Sequence, residues 1–178
     1  MTMSPRLRRI VLTAHITASV GWLGAVAGFL ALAVAGLTSQ DAQMVRAAYL
    51  AMNLTARFVI VPMAFASLLT GLVQSLGTSW GLFRHYWVLV KLLLTVLATV
   101  VLLLQMEPIA YTAGAAGETT LSSTALREAR YSLLAHAGGG LLVLLMATTM
   151  AVYKPRGMTR YGARRQDRQP ALPPPQAQ

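Results

Sequence analysis

Apolar residues in this chain are concentrated in four long runs that short polar stretches separate. The runs cover about 10–37, 54–76, 87–106 and 131–153. Each is long enough to cross roughly 30 Å of hydrocarbon as an α-helix, because such a helix rises about 1.5 Å per residue. The pattern predicts an all-α fold, a four-helix transmembrane bundle, within a membrane domain that covers residues 1–154.

The composition agrees with a membrane protein and excludes an ordinary soluble domain. Hydrophobic residues make up 56% of the 178 residues, and charged residues only 11%, against about 25% charged in soluble domains. The first run has an alternative reading as a signal peptide, because Arg6, Arg8 and Arg9 precede it. Its apolar length exceeds the roughly 7–15 residues of a signal core. We therefore expect it to be a span, with the lipid bilayer as the main partner.

The basic residues predict the orientation of the spans. Lys and Arg total 15 against 5 Asp and Glu, a net charge of +10, but they flank the apolar runs, so we expect no nucleic-acid binding. Arg6, Arg8 and Arg9, then Arg84, then the basic residues of 154–168 all fall on one side of a four-span chain. Because positively charged flanks stay cytoplasmic, we expect both termini inside, in a bacterial cytoplasmic membrane.

The segments between and after the spans carry signals of their own. Thr38, Ser39 and Asp41 are typical of a helix start, and Ser122 or Ser123 is placed to cap a lengthened fourth helix. Residues 155–178 are rich in Arg, Gln and Pro, with too few apolar residues for a core. This composition predicts a disordered cytoplasmic tail that contacts anionic lipid.

The first span presents two different faces. Helical spacing places His15, Ser19 and Trp22 on one face, whereas Gly21 and Gly28 lie roughly 100° away. Small residues let a second helix approach closely, so the glycine face indicates packing or self-association. An ionisable group is costly in lipid. For His15 the sequence leaves open a structural hydrogen bond and a ligand or catalytic role.

The third span carries a polar stripe that we expect to face the bundle interior. Its members are Trp87, Lys91, Thr95, Ala98, Leu102 and Gln105. Lys91 lies about one turn inside the span, so its side chain is also long enough to reach the cytoplasmic interface. With the N-terminus inside, His15 and Lys91 lie near the same leaflet. We expect them to share a pocket with His85 at its mouth.

A second polar group is expected near the outer ends of the spans. His136 precedes the glycines 138–140 on the fourth span, Arg57 lies near the start of the second, and Glu107 follows the third. These three side chains indicate either a functional cluster or an interfacial hydrogen-bond network. The chain has no cysteine, so His136 with a methionine such as Met106 is the set that would hold copper(I).

Two further features concern the helices themselves. Pro62 lies inside the second span and predicts a kink near Phe58 to Ala66, because proline frees a carbonyl. His15 and His136 lie near opposite leaflets, about 15 Å apart at 1.5 Å per residue. They are too far apart to ligate one haem, and they serve separate sites or none.

Two segments of the chain resemble known membrane proteins. They are HITASVGWLGA at 15–25 and WVLVKLLLTVL at 87–97. With GGGLLVLL at 138–145, they resemble a family of uncharacterised bacterial four-span membrane proteins, distantly similar to HemJ-type protoporphyrinogen oxidases and CopD-type copper-resistance membrane proteins. The resemblance implies that His15 and Trp22 contact haem b or another tetrapyrrole, with His15 as its iron ligand, and that Lys91 is the functional, catalytic partner.

Three functions from different classes follow. The first is a haem-associated or tetrapyrrole-associated redox protein that uses His15 and Lys91, in which Lys91 holds a propionate or donates a proton. The second is a copper-handling protein that uses His136 at the outer face. The third is a non-catalytic scaffold that binds a membrane-protein partner or a second copy of itself. Whether the chain is an enzyme is left open.

Overall fold

The computed structural model describes residues 3–77, 82–83, 85–116, 124–154, 157 and 159, and they are almost entirely helical. The elements are α1 (Pro5–Thr38), α2 (Ala42–Thr55), a π-helical turn (Ala56–Ile60), α3 (Val61–Gly77), α4 (Tyr86–Leu104), α5 (Met106–Ala115) and α6 (Thr124–Tyr153). The predicted tail at 155–178 and the capping serines Ser122 and Ser123 lie outside the residues described as structured elements.

The four predicted spans are confirmed, each within a longer helical segment. Four segments are long and apolar enough to cross a membrane: Pro5–Thr38, Ala42–Gly77, Tyr86–Ala115 and Leu126–Tyr153. The second has 36 residues, and at about 1.5 Å per residue it is longer than a hydrocarbon core of roughly 30 Å. The helices therefore continue past the apolar runs that the sequence marks.

The helix starts follow local sequence. Ser4 caps α1 by accepting a hydrogen bond from the backbone nitrogen of Leu7 at 3.4 Å, with Pro5 in the first turn. Asp41 caps α2, since its carboxylate accepts a hydrogen bond from the nitrogen of Gln43 at 2.9 Å. Such caps satisfy backbone donors that have no partner within the helix. The helix start predicted at Thr38 to Asp41 is therefore confirmed.

The irregularity expected around Pro62 is a π-helical turn that begins earlier than the sequence suggested. Pro62 has no N–H, and its ring crowds the carbonyl four residues back. The widened turn Ala56–Ile60 comes just before it, and the Val61 nitrogen bonds to the Ala56 oxygen, five residues back. The extra residue absorbs the conflict while the segment stays helical.

The core lies mainly between the second half of α1 and α2, the π-helical turn, α5 and α6. Trp22, Phe29, Tyr49 and Met52 are buried there, among alanines that let the helices approach closely. The outward surface carries large apolar side chains, with Leu69 63%, Leu93 69% and Leu142 68% exposed. A contiguous apolar surface of this kind requires lipid rather than water around it. The fold is that of a multi-pass membrane protein.

The two glycines of the α1 glycine face behave differently. A Cβ atom on Gly21 would lie 3.3 Å from the Met63 sulfur, so Gly21 serves the close packing of α1 against α3. A Cβ atom on Gly28 would have nothing within 4 Å. The packing role therefore belongs to Gly21, while Gly28 is open at the surface.

Candidate functional site

The structure brings His15 of α1 and Lys91 of α4 into direct contact. The Lys91 Nζ atom lies 3.3 Å from the His15 Nε2 atom, and the two residues are 76 positions apart in the chain. Both side chains are partly buried. Lys91 therefore points into the bundle and does not extend to the membrane interface.

The surroundings of His15 decide which of its nitrogens carries hydrogen. Its Nδ1 atom lies 3.1 Å from the backbone oxygen of Ser67. A carbonyl oxygen can only accept, so Nδ1 donates, and Nε2 of the neutral ring is left with a lone pair. Lys91 is therefore the donor in its contact with His15. The contact is a hydrogen bond from Lys91 Nζ to His15 Nε2.

Helix α3 supplies a polar stripe along one side of this pair. Thr70 places its hydroxyl 3.1 Å from the His15 Nδ1 atom, and the Ser67 hydroxyl lies 2.8 Å from that of Ser19. A Cβ atom on Gly71 would lie 3.0 Å from His15 Cε1, so a glycine is needed beside the ring. The stripe fixes the position and orientation of the imidazole.

The α3 stripe also holds an unsatisfied polar atom. Gln74 follows Thr70 and Gly71 by about one turn, and its side-chain oxygen is buried without a hydrogen-bond donor. Ser67, Thr70, Gly71 and Gln74 have the spacing of one helical face, which is the sequence signal by which they could have been found. Buried polar groups without a partner are uncommon, so this face is polar beyond what packing requires.

The basic pair has no acidic partner in the part of the chain that the structure describes. The described acids are Asp41, Glu107 and Glu128, and all three are exposed near helix starts. The recorded side-chain partner of the Lys91 Nζ atom is the His15 ring. Lys91 is therefore a basic group in an apolar bundle whose neighbour is a neutral imidazole.

His85 and Trp22 were expected to accompany the pair. His85 precedes α4, and its ring centroid lies 6.4 Å from that of Trp87, tilted by 51°. Trp22 is only 2% exposed and lies about two turns along α1 from His15, where it lines a cavity. Trp22 therefore does not take part in the hydrogen bonds of the His15 and Lys91 contact.

The cavity beside Trp22 lies between α1, α4 and α6 and has a volume of about 350 Å³. Its wall is formed by Trp22, Val26 and Phe29 of α1, by one face of α4 and by Gly139 and Gly140 of α6. Gln105 and His136 bring polar groups to this otherwise apolar lining. Ala98, Leu102 and Gln105 of the predicted α4 stripe line it too, so that stripe faces inward along its length.

The structure does not join the three residues of the expected outer cluster. The Nδ1 atom of His136 donates to the backbone oxygen of Ser132 at 2.7 Å, and Arg57 Nε donates to Asn53 Oδ1 at 3.1 Å. Glu107 is exposed beside Tyr111. Within the described segments no hydrogen bond or ion pair links them, and Met106 packs against the core. Each of the three has local surroundings of its own.

One contact between α6 and α2 was not predicted from the sequence. The Arg130 guanidinium lies over the ring of Tyr49, 4.9 Å from its centroid, and its Nε and Nη2 atoms are buried without a hydrogen-bond partner. A cation over an aromatic face is stabilising. This contact joins α2 to α6 and is best explained as part of the packing.

Comparison with known proteins adds no further assignment to these sites. Among the described residues, no three His, Cys, Asp or Glu side chains are grouped so as to hold a metal ion. No protein-family model matches the chain, and no curated protein or solved structure is significantly similar to it.

Proposed function

We propose that this chain is a multi-pass protein of the bacterial cytoplasmic membrane, with both termini on the cytoplasmic side. The four apolar helices support the proposal, and so does the excess of Lys and Arg at the two ends of the chain and at Arg84. The opposite loops carry fewer basic residues, and acidic residues nearly balance them. Positively charged flanks remain cytoplasmic. This orientation puts the His15 and Lys91 contact in the cytoplasmic half of the bundle.

In this proposal the contact between His15 and Lys91 binds the acidic group of a membrane-soluble redox cofactor, with haem b or another tetrapyrrole as first candidate. The observation that carries it is the 3.3 Å contact of Lys91 Nζ with a neutral imidazole in an apolar bundle. A buried charge is costly unless an opposite charge pairs with it. A carboxylate from the ligand supplies that missing charge.

Lys91 and His15 are better placed to bind a propionate of a tetrapyrrole than His15 is to bind its iron. A metal bound to Nε2 sits about 2 Å from the nitrogen, in the space that the Lys91 ammonium group closes off at 3.3 Å. A carboxylate instead accepts hydrogen bonds from Lys91, whose ammonium has three donors. Binding of iron at His15 requires the Lys91 side chain to turn away.

The chain's own part in the chemistry is to hold and move one proton. Lys91 donates towards His15 Nε2, while Ser67 keeps the opposite nitrogen protonated. When a carboxylate binds, the ammonium turns to it and His15 Nε2 becomes free to accept a proton. A bound tetrapyrrole supplies electron transfer.

An absorbance spectrum of the full chain, purified in detergent after expression with added haem precursors, tests this function. We expect a Soret band whose intensity falls severalfold in Lys91→Met and persists in Thr149→Ala, a threonine of the exposed face of α6. A colourless wild-type protein would contradict the tetrapyrrole assignment. Copper in a metal analysis, lost in His136→Ala, would favour the copper-handling alternative instead.

A further inference from the structure

The cavity between α1, α4 and α6 is separate from the His15 and Lys91 contact. It reaches the protein surface, because its lining includes the exposed residues Leu97, His136 and Gly139. The same sides of α4 and α6 carry outward leucines, which indicates lipid around the opening. A ligand can therefore enter the cavity sideways from the bilayer without crossing water.

The shape and lining of the cavity favour a flat aromatic ring. Gly139 and Gly140 leave a gap among the side chains of the α6 wall, and a Cβ atom on either would meet nothing within 4 Å. Across the cavity, Trp22 and Phe29 contribute aromatic side chains. Aromatic side chains interact favourably with other rings at stacked or edge-on geometry. A planar ring can occupy the space beside these glycines and contact the aromatic side chains opposite them.

His136 determines which polar group the ring carries. The His136 Nδ1 atom lies 2.7 Å from the Ser132 backbone oxygen, and because that oxygen only accepts, Nδ1 is the protonated nitrogen. The opposite atom, Nε2, then has a lone pair, and among the described residues no side chain donates to it. His136 thus brings a hydrogen-bond acceptor to the lining of an apolar cavity. Its complement is a hydroxyl donor.

We propose that this cavity binds a lipid-soluble hydroquinone, with its ring between Gly140 and Trp22, one hydroxyl donating to His136 Nε2, and its isoprenoid chain in the bilayer. The site goes beyond the proposed tetrapyrrole function and uses different residues. Gln105 lies in the same lining, and its amide has both donors and an acceptor for a hydroxyl. The proposal concerns binding and needs no redox step.

Binding of decylubiquinol and of its oxidised form, decylubiquinone, to the full chain in detergent tests the site. A quinone carbonyl cannot donate to His136, so we expect the hydroquinone to bind about five- to tenfold more tightly, the worth of one hydrogen bond. His136→Leu should remove this preference. Equal affinities for the two forms, or a preference unchanged in His136→Leu, would overturn the proposal.

Glycine variants test whether the ring occupies the cavity. Gly140→Leu fills the space and should weaken hydroquinone binding at least tenfold, while Gly28→Leu is the matched control because its position is equally open but lies outside the lining. Gly140→Ala is a smaller change that should also weaken hydroquinone binding, so it provides the test if Gly140→Leu fails to fold. Unchanged binding in Gly140→Ala and Gly140→Leu, or a Soret band lost in His136→Ala, would contradict a hydroquinone site.

Discussion

At the scale of single residues, the unusual feature is a lysine that contacts a histidine inside an apolar bundle. A lysine about one turn inside a span can extend to the interface and keep its charge hydrated. Lys91 instead lies 3.3 Å from His15 Nε2, whose other nitrogen is held by Ser67. An ionisable group inside a membrane segment is costly and commonly functional, which is why the proposed function is placed at Lys91.

The coupling of His15 and Lys91 can be measured as a free energy. His15→Leu leaves Lys91 without its acceptor and should lower the free energy of unfolding in detergent by about 1–3 kcal/mol. Lys91→Met replaces the ammonium with an apolar group of similar length and should cost less. The double variant should be more stable than the sum of the two losses predicts, by about 1 kcal/mol or more. Strict additivity would mean that the two side chains do not interact.

The control for this cycle is the pair Thr149→Ala and Lys91→Met. Thr149 lies on the exposed face of α6 and bonds to its own helix at Leu145. Their effects on the free energy of unfolding should add within about 0.5 kcal/mol, as they do for distant sites.

At the scale of helices, close contact depends on particular glycines. Tyr49 of α2 packs onto Gly36 of α1, where a Cβ atom would lie 2.9 Å from the Tyr49 ring. Tyr49 is itself covered by the Arg130 guanidinium, so the ring cannot retreat without disturbing α6. Gly36 is therefore a packing residue that ties α1, α2 and α6 together.

Gly36→Ala should lower the thermal stability of the protein in detergent. The added methyl group overlaps the Tyr49 ring, and overpacking of this kind costs about 1–3 kcal/mol. Gly28→Ala is the matched control, because it has open space around it and alanine favours a helix over glycine by about 1 kcal/mol. Its midpoint of thermal unfolding should stay level or rise. Equal losses in both variants would argue against the Gly36 contact.

The sequence predicted the helices better than their ends and irregularities. Apolar runs gave all four spans, because about 20 apolar residues in a row fit few other structures. They could not give the extension of the second span back to Ala42, since the residues of α2 are less apolar and owe their burial to α1 and α5. The π-helical turn could be placed only near Pro62, because neighbouring helices decide where the extra residue is accommodated.

The site was partly predictable for the same reason. His15 and Lys91 stand out as ionisable residues in apolar runs, and the topology placed them at one depth. Ser67, Thr70 and Gly71 did not stand out, since small polar residues are common in membrane helices. Their role depends on the rotation of α3 about its axis, which tertiary packing determines.

At the scale of the whole molecule, the two candidate sites lie at different heights along the bundle. The His15 and Lys91 contact lies towards the end of the bundle where α1 starts and α3 finishes, and the α4–α6 cavity lies further along α1. The two sites are therefore separated along the bundle axis. In the orientation proposed above, the His15 and Lys91 contact is the one nearer the cytoplasm.

Cysteine labelling tests the orientation directly, since the chain has no native cysteine. Gln40→Cys lies in the exposed connection between α1 and α2, and Ser4→Cys lies before α1. In intact spheroplasts, a membrane-impermeant maleimide should label the cysteine at position 40 and leave the one at position 4 unlabelled. Both should react after permeabilisation. Labelling of the cysteine at position 4 alone in intact spheroplasts would reverse the topology.

The proposed function depends on recognition of a carboxylate inside the membrane by Lys91 with His15. The most direct measurement compares two porphyrins that differ only in whether their carboxyl groups are free or esterified. Protoporphyrin IX and its dimethyl ester are titrated into the detergent-purified wild-type protein and Lys91→Met, with fluorescence reporting binding. A hydrogen bond to a charged group contributes about 1.5–3 kcal/mol, so the free acid should bind the wild type about 10- to 100-fold more tightly than the ester. That difference should disappear in Lys91→Met. Equal binding of acid and ester to the wild type would contradict the account.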